Sequence, residues 1–133
     1  MRYIPPFQAL QSRTAIRSIR GQLMVQASYD TFVDLFRSVI ENIDIDEAWY
    51  LERHPDVAEA VSAGTFKSAK DHFMNNGYFE GRLPFAIKVD EAYYLNKNPE
   101  VADFVKRELL ADGQQHFDEN GYLEGRKPFP TGS

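Results

Sequence analysis

The sequence predicts an all-α fold: an N-terminal amphipathic helix, then two tandem 44-residue helical repeats packed as one small solenoid-like domain. Three observations predict it. The chain repeats itself without a gap at an offset of 44 residues, with 19 of 41 positions identical between Ile45–Phe85 and its copy. Apolar residues between Thr31 and Ile43 recur at helical spacing. Proline and glycine punctuate both copies at the same places, which cuts each into three short helices.

The repeat is explicit. Asp46-Glu47-Ala48-Trp49-Tyr50-Leu51 returns as Asp90-Glu91-Ala92-Tyr93-Tyr94-Leu95, and Pro55-Asp56-Val57-Ala58 returns as Pro99-Glu100-Val101-Ala102. The run from His72 to Phe85 returns from His116 to Phe129, with Asn-Gly-Tyr and Glu-Gly-Arg intact in both. A unit this short cannot bury its apolar face alone, so stacking of the two supplies the core. The chain divides into a basic arm (1–29), an amphipathic helix (30–44), repeat 1 (45–88), repeat 2 (89–129) and a polar tail (130–133).

Taken in order, Pro5-Pro6 reads as an extended lead-in. Ser12 to Arg20 reads as a short helix capped by Ser12 and stopped by Gly21, which puts Arg13, Arg17 and Arg20 on one stripe. Gln22 to Ser28 reads as a short strand or a loop. Thr31 to Ile43 is the strongest single helix, with Asp30 or Thr31 as its cap. Phe32, Leu35, Phe36, Val39, Ile40 and Ile43 form one wide apolar face. That face needs a partner, either repeat 1 or the same helix of a second subunit, and Phe32, Phe36 and Ile40 are the candidate oligomer surface.

Within each repeat, Asp46 and Asp90 cap the first helix, and Ala48 and Leu51 face inward. Pro55 and Pro99 open the second helix. Gly64 ends it in repeat 1; Glu108 stands there in repeat 2, so that helix is expected to run about a turn longer, to about Leu110. The third helix starts at Ser68 or Asp112 and ends at Gly77 or Gly121 in a left-handed C-cap. Ala69, His72, Phe73 and Asn76 share one stripe of it, as do Gly113, His116, Phe117 and Asn120. Polar groups on a buried stripe need partners. The expectation is that His72, His116, Asn76 and Asn120 tie the following loop to the helix. Gly81 and Gly125 then allow a turn with positive φ.

The composition narrows the function classes. There is no cysteine, which excludes disulfides, thiolate metal sites and cysteine nucleophiles. No apolar run is long enough to span a bilayer, and no continuous apolar core marks a secretory signal. A cytoplasmic protein is expected. The net charge of -5 divides unevenly. Residues 1–29 hold Arg2, Arg13, Arg17 and Arg20 and no acid, whereas the remainder is acidic overall. An acidic body argues against a nucleic-acid partner.

The pattern Asp-x-x-Trp/Tyr-Tyr-Leu, Pro-Asp/Glu-Val-Ala, then His-Phe-x-x-x-Gly-x-x-Glu-Gly-Arg-x-Pro resembles a bacterial repeat. Repeats of that kind stand beside glycosyltransferase domains in polysaccharide-synthesis proteins and occur in some large secreted proteins of calcium-binding type. The resemblance covers Asp46–Phe85 and Asp90–Phe129. It implies an accessory module, with a link to envelope or exopolysaccharide machinery. It carries no activity over.

Candidate sites each have a plainer structural reading. His72 and His116 lie in no His-x-x-x-His pattern and read as structural, together with Asn76, Asn120, Gly77 and Gly121. Glu80 and Glu124 copy one position, so they do not supply the two different roles of a catalytic pair. Arg82 and Arg126 read as loop locks, or as bidentate readers of a carboxylate, phosphate or sugar acid. His54, replaced by Asn98 in the copy, reads as a solvent-facing helix end. Trp49, Tyr50, Tyr93 and Tyr94 are adjacent rings that cannot all face inward, which suits packing between repeats, a protein partner or a glycan. The expected function is a non-catalytic interaction module, an adaptor or scaffold, that binds a protein partner or itself. The alternative is a carbohydrate-binding accessory using the aromatic pairs with Arg82 and Arg126. No metal and no cofactor are expected.

Overall fold

The computed structural model describes residues 3–132, so Arg2 of the basic arm and Ser133 of the tail lie outside the described residues. The chain is mostly helical. Its order is α1 (Phe7–Gln11), β1 (Ala15–Ile19), β2 (Gln22–Gln26), α2 (Tyr29–Ile40), then α3 (Glu47–Arg53), α4 (Pro55–Ser62) and α5 (Ala69–His72) in repeat 1. Repeat 2 follows with α6 (Glu91–Lys97), α7 (Pro99–Lys106) and α8 (Gly113–His116). Both α5 and α8 continue directly into one π turn, Phe73–Gly77 and Phe117–Gly121.

The N-terminal arm departs from the all-α expectation. β1 and β2 pair antiparallel, Ile16 opposite Val25 and Ile19 opposite Gln22. Arg20 and Gly21 make the two-residue turn with φ of 52° and 77°. That handedness matches the twist of the strands it joins, and β-branched Ile16, Ile19 and Val25 favour extended backbone. Helical spacing of the three arginines was therefore accidental: Arg17 sits on a strand and Arg20 in the turn. Ser12 closes α1 rather than opening a helix, and Pro6 stands at its N-cap.

α2 begins earlier than the apolar pattern suggests. Its cap is Ser28, whose side chain accepts from Thr31 N, so neither Asp30 nor Thr31 has that role. Ile40 is buried within the chain, while Phe32, Phe36 and Val39 remain exposed. Ile40 is thus a core residue and is removed from the candidate oligomer surface.

The two repeats fold alike. Asp46 and Asp90 accept from Trp49 N and Tyr93 N, and Ser68 and Asp112 accept from Asp71 N and Gln115 N. Each repeat closes on itself: the Pro84 carbonyl accepts from Asp46 N at 3.1 Å, and the Pro128 carbonyl from Asp90 N at 2.9 Å. Each also has its own core, Tyr50, Val57, Ala69 and Phe73 in one and Val89, Tyr94, Val101 and Phe117 in the other, so the fully buried side chains are sealed within each repeat rather than by the stacking of the two that the repeat length suggests. The inward residue of the first helix is the second tyrosine, not Ala48, which is exposed; Leu51 is half-buried. Full burial of each such side chain contributes about 1.5 to 3 kcal/mol.

Two boundaries differ for local reasons. α7 stops at Lys106, matching α4 in length, because Glu108 itself adopts the left-handed conformation (φ 60°) that Gly64 holds in repeat 1 (φ 81°). Gly77 and Gly121 are not left-handed; the positive φ values lie at Gly81 and Gly125. A Cβ on Gly77 would overlap the Tyr50 hydroxyl, and one on Gly121 the Tyr94 hydroxyl. Glycine is required there for space.

Candidate functional site

The most organised polar group in the chain is built twice, where the first and third helices of each repeat meet. Tyr50 lies fully buried on α3, and its hydroxyl is 2.8 Å from His72 Nδ1 at the end of α5. The π turn follows at once. Tyr78 N bonds to the Phe73 carbonyl five residues back at 2.8 Å, so the backbone widens just after His72. The hydroxyl is seated between that histidine and Gly77. Tyr94, His116 and Gly121 repeat the arrangement, also at 2.8 Å.

The other face of each imidazole looks toward a carboxylate. His72 Nε2 is 3.9 Å from Glu80, and His116 Nε2 is 3.7 Å from Glu124. Those distances orient the ring without forming a hydrogen bond. A proton on Nε2 faces the carboxylate, which leaves Nδ1 to accept from the tyrosine hydroxyl. Burial, reinforced by Arg82, holds His72 below its ordinary pKa, and burial pushes the Tyr50 phenol up to about 12. At neutral pH the pair is a protonated phenol and a neutral imidazole.

Arginine completes the chain of contacts. Arg82 forks onto Asp56 at 3.3 and 3.0 Å and reaches Glu80 at 3.1 Å. Arg126 bonds to Glu100, to Asn98 Oδ1 at 2.7 Å and to Glu124 at 3.2 Å. Its hydrogen bond lowers the pKa of Glu100, as that of Arg82 lowers the pKa of Asp56. Loop, third helix and start of the second helix are tied together in both repeats.

Several predicted site residues sit elsewhere. Tyr50 and Tyr94 are fully buried and so cannot form a binding surface: on a seven-residue helix packed along one side, only one of two adjacent rings can turn inward. Trp49 and Tyr93 are the outer rings, and each carries a cation at i+4, Arg53 at 5.3 Å and Lys97 at 5.9 Å. Asn76 and Asn120 are exposed and do not tie the loop with their side chains, because the π turn rotates them off the stripe that a regular helix would give. Their backbone carbonyls accept from Glu80 N and Glu124 N instead. His54 is half-buried rather than solvent-facing, with its ring 4.7 Å from that of Tyr50.

Two polar devices escaped the sequence reading. Glu91 accepts from Gly113 N and Gln114 N at 3.0 and 2.8 Å, and Glu47 from Lys70 N at 3.0 Å, so a first-helix carboxylate caps the third helix. The repeated Asp-Glu pair was the available signal, and only its aspartate was read. Gln114 also holds the connector between repeats, donating to the Ile87 carbonyl and accepting from Val89 N, both at 2.8 Å. Repeat 1 has Lys70 at the matching position, so nothing in the repeat pattern announced it.

Two of the open clefts border the repeats. One of about 200 Å³ lies between α2 and the end of repeat 1, lined by Tyr29, Phe32, Val33, Phe36, Tyr78 and Phe79. A second of about 270 Å³ runs between the repeats, with Trp49, Arg53, Lys88 and Asp118 on its walls. Among the described residues, no three His, Asp or Glu side chains gather as a metal site, and no helix is long and apolar enough to cross a membrane. Comparison with family models, with curated proteins and with solved structures gives no match.

Proposed function

We propose that the chain is a non-catalytic interaction module, two helical repeats stacked in a solenoid-like unit, serving as an adaptor or scaffold in bacterial polysaccharide or envelope synthesis. One observation carries this reading. The distinctive polar letters of the repeat, Tyr, His, Glu and Arg, are engaged in matching internal contacts in both copies. Groups used up in holding shape leave recognition to the surfaces around them. The aromatic cleft beside α2 suits a protein partner, since large rings anchor interfaces. The link to polysaccharide synthesis rests on the motif resemblance, and the absence of cysteine fits a cytoplasmic site of action.

The test is crosslinking in native cells followed by capture of the chain. Enrichment of glycosyltransferases or polysaccharide exporters, lost on Phe32→Asp, supports the module; a survey showing neither a partner nor self-association counts against it. His72→Gln with His116→Gln should leave capture intact wherever the fold survives.

A carbohydrate-binding reading is favoured by one feature, the half-buried Trp49 on the wall of a groove that also holds Asp118 and Lys88. In that reading Trp49 is the platform. Arg82 and Arg126 drop out of it, since their guanidinium groups are already bound to carboxylates. A blank glycan array, or sugar affinity unchanged by Trp49→Ala, removes it.

A further inference from the structure

The hairpin presents an unusual combination of free edge and exposed apolar side chains. Leu23 and Val25 are 74% and 67% exposed, and every residue of both strands is open to solvent. An isolated two-stranded ribbon is marginal in water, and an uncovered apolar edge is a template for another strand. Among the described residues, no other backbone segment bonds to the outer edge of β2.

The chemistry of that edge identifies its occupant. The two-residue turn makes Ile19 and Gln22 the closing hydrogen-bonded pair, so Arg17 with Met24 and Ala15 with Gln26 follow by alternation. The backbone N–H and C=O groups of Leu23 and Val25 therefore point away from β1. A strand that pairs antiparallel with its own copy across a two-fold axis sets residue i opposite j and j opposite i, so a segment that reads alike in both directions places like beside like. β2 reads so: Gln22-Leu23-Met24-Val25-Gln26 is polar, apolar, Met, apolar, polar about Met24. Pairing Leu23 with Val25 of a second copy satisfies all the outward groups of that stretch and sets Gln22 opposite Gln26. The outer edge of β1 offers no such match. Joining its outward Ile16 to Ser18 of a copy sets Arg17 directly against Arg17, and like charges directly opposite are destabilising.

We propose that the chain forms a two-fold dimer in which β2 pairs with β2 of a second copy, giving a four-stranded antiparallel sheet in the order β1-β2-β2-β1. The face carrying Ile16, Leu23 and Val25 then becomes continuous across the dimer. In each copy Ile16 and Val25 already border a cleft shared with Phe7, Leu10 and Leu35. The assembly is independent of which partner the repeats serve.

The experiment is molar mass in solution across a dilution series, on the native chain and on Val25→Pro. The proline removes an N–H that points outward, so the hairpin keeps its own bonds while the edge loses a donor. The native chain should show twice the chain mass, and Val25→Pro should halve it with unchanged helical circular dichroism. Because the chain contains no cysteine, Met24→Cys places a lone thiol on the proposed axis. Mild oxidation should link it into a covalent dimer, whereas Arg17→Cys, on the distant strand, should stay unlinked. A native chain that is monomeric throughout overturns the dimer and leaves the module reading standing. A dimer that survives Val25→Pro but falls apart on Phe32→Asp also overturns it, in favour of contact through α2. Equal crosslinking from positions 17 and 24 overturns the register.

Discussion

At the scale of single residues, the fit between Tyr50, His72 and Gly77 governs repeat 1. Tyr50→Phe leaves His72 Nδ1 buried without its donor, a loss of about 1 to 3 kcal/mol. Gly77→Ala forces a methyl group into the Tyr50 hydroxyl, at a cost of about 1 to 3 kcal/mol. The two should not add. With the hydroxyl gone the methyl has room, so urea unfolding of the double variant should show less than the sum of the single losses; strict additivity would mean that the hydroxyl and the glycine do not share that space. His72 also makes stability depend on pH. Its folded pKa lies below the ordinary 6.5, by burial first and Arg82 second, against the opposite pull of Glu80, Asp56 and Asp71. The unfolded chain then binds the proton first as pH falls. This contribution is complete above 6.5 and is lost on acidification from there toward the folded pKa. The urea midpoint should decline through that window, and His72→Gln should flatten the decline. The loss from Asp56, whose pKa is lowered by Arg82, belongs to a separate window that begins near 3.8 and extends below it.

At the scale of elements, the end of the second helix provides the sharpest contrast between the repeats. Glu108 holds a positive φ of 60° where Gly64 holds 81°. A side chain in that conformation costs about 1 to 2 kcal/mol. Glu108→Gly should therefore stabilise the chain, by about 0.5 to 1 kcal/mol once the greater freedom of glycine in the unfolded state is counted. Gly64→Ala should destabilise by about 1 kcal/mol, although a Cβ there meets nothing within 4 Å. Opposite signs for the two changes in one denaturation series are the expected result. A Glu108→Gly variant that unfolds earlier than the native chain contradicts the strain. Both effects follow from one requirement: the chain must turn left-handed at this point to reach the third helix, whatever residue occupies it.

At the scale of the molecule, two separate cores and one short connector set the pattern of coupling. Tyr50 and Tyr94 belong to different buried clusters. Substitutions more than about 7 to 10 Å apart with no shared partner usually add within about 0.5 kcal/mol. Tyr50→Phe and Tyr94→Phe should therefore add to that margin in urea unfolding, and a larger interaction energy would show that the repeats share one core. The N-terminal arm behaves differently. Its strands, and α2 after them, leave Ile19, Leu23, Val25, Phe32 and Phe36 open, whereas each repeat seals a pair of rings in its core, Tyr50 with Phe73 and Tyr94 with Phe117. Binding and assembly are accordingly expected at the arm, and shape at the repeats.

The 44-residue offset, the aspartate caps and the prolines opening α4 and α7 were all legible in the sequence. Each rests on a local rule or on a pattern that occurs twice. Other features required the folded chain. Which of two adjacent rings is buried depends on the side of α3 or α6 that meets the third helix. The glycine before Tyr78 answers to a hydroxyl from a residue 27 positions earlier, and the exposed asparagines follow from the π turn beside it. Gln22–Ser28 already reads as a short strand or a loop, but β1 was hidden because Arg13, Arg17 and Arg20 mimic helical spacing, and the pairing that overrules it becomes visible only once the register is formed. Periodicity along one segment specifies the faces that segment can offer; contact with a distant segment decides which face is used.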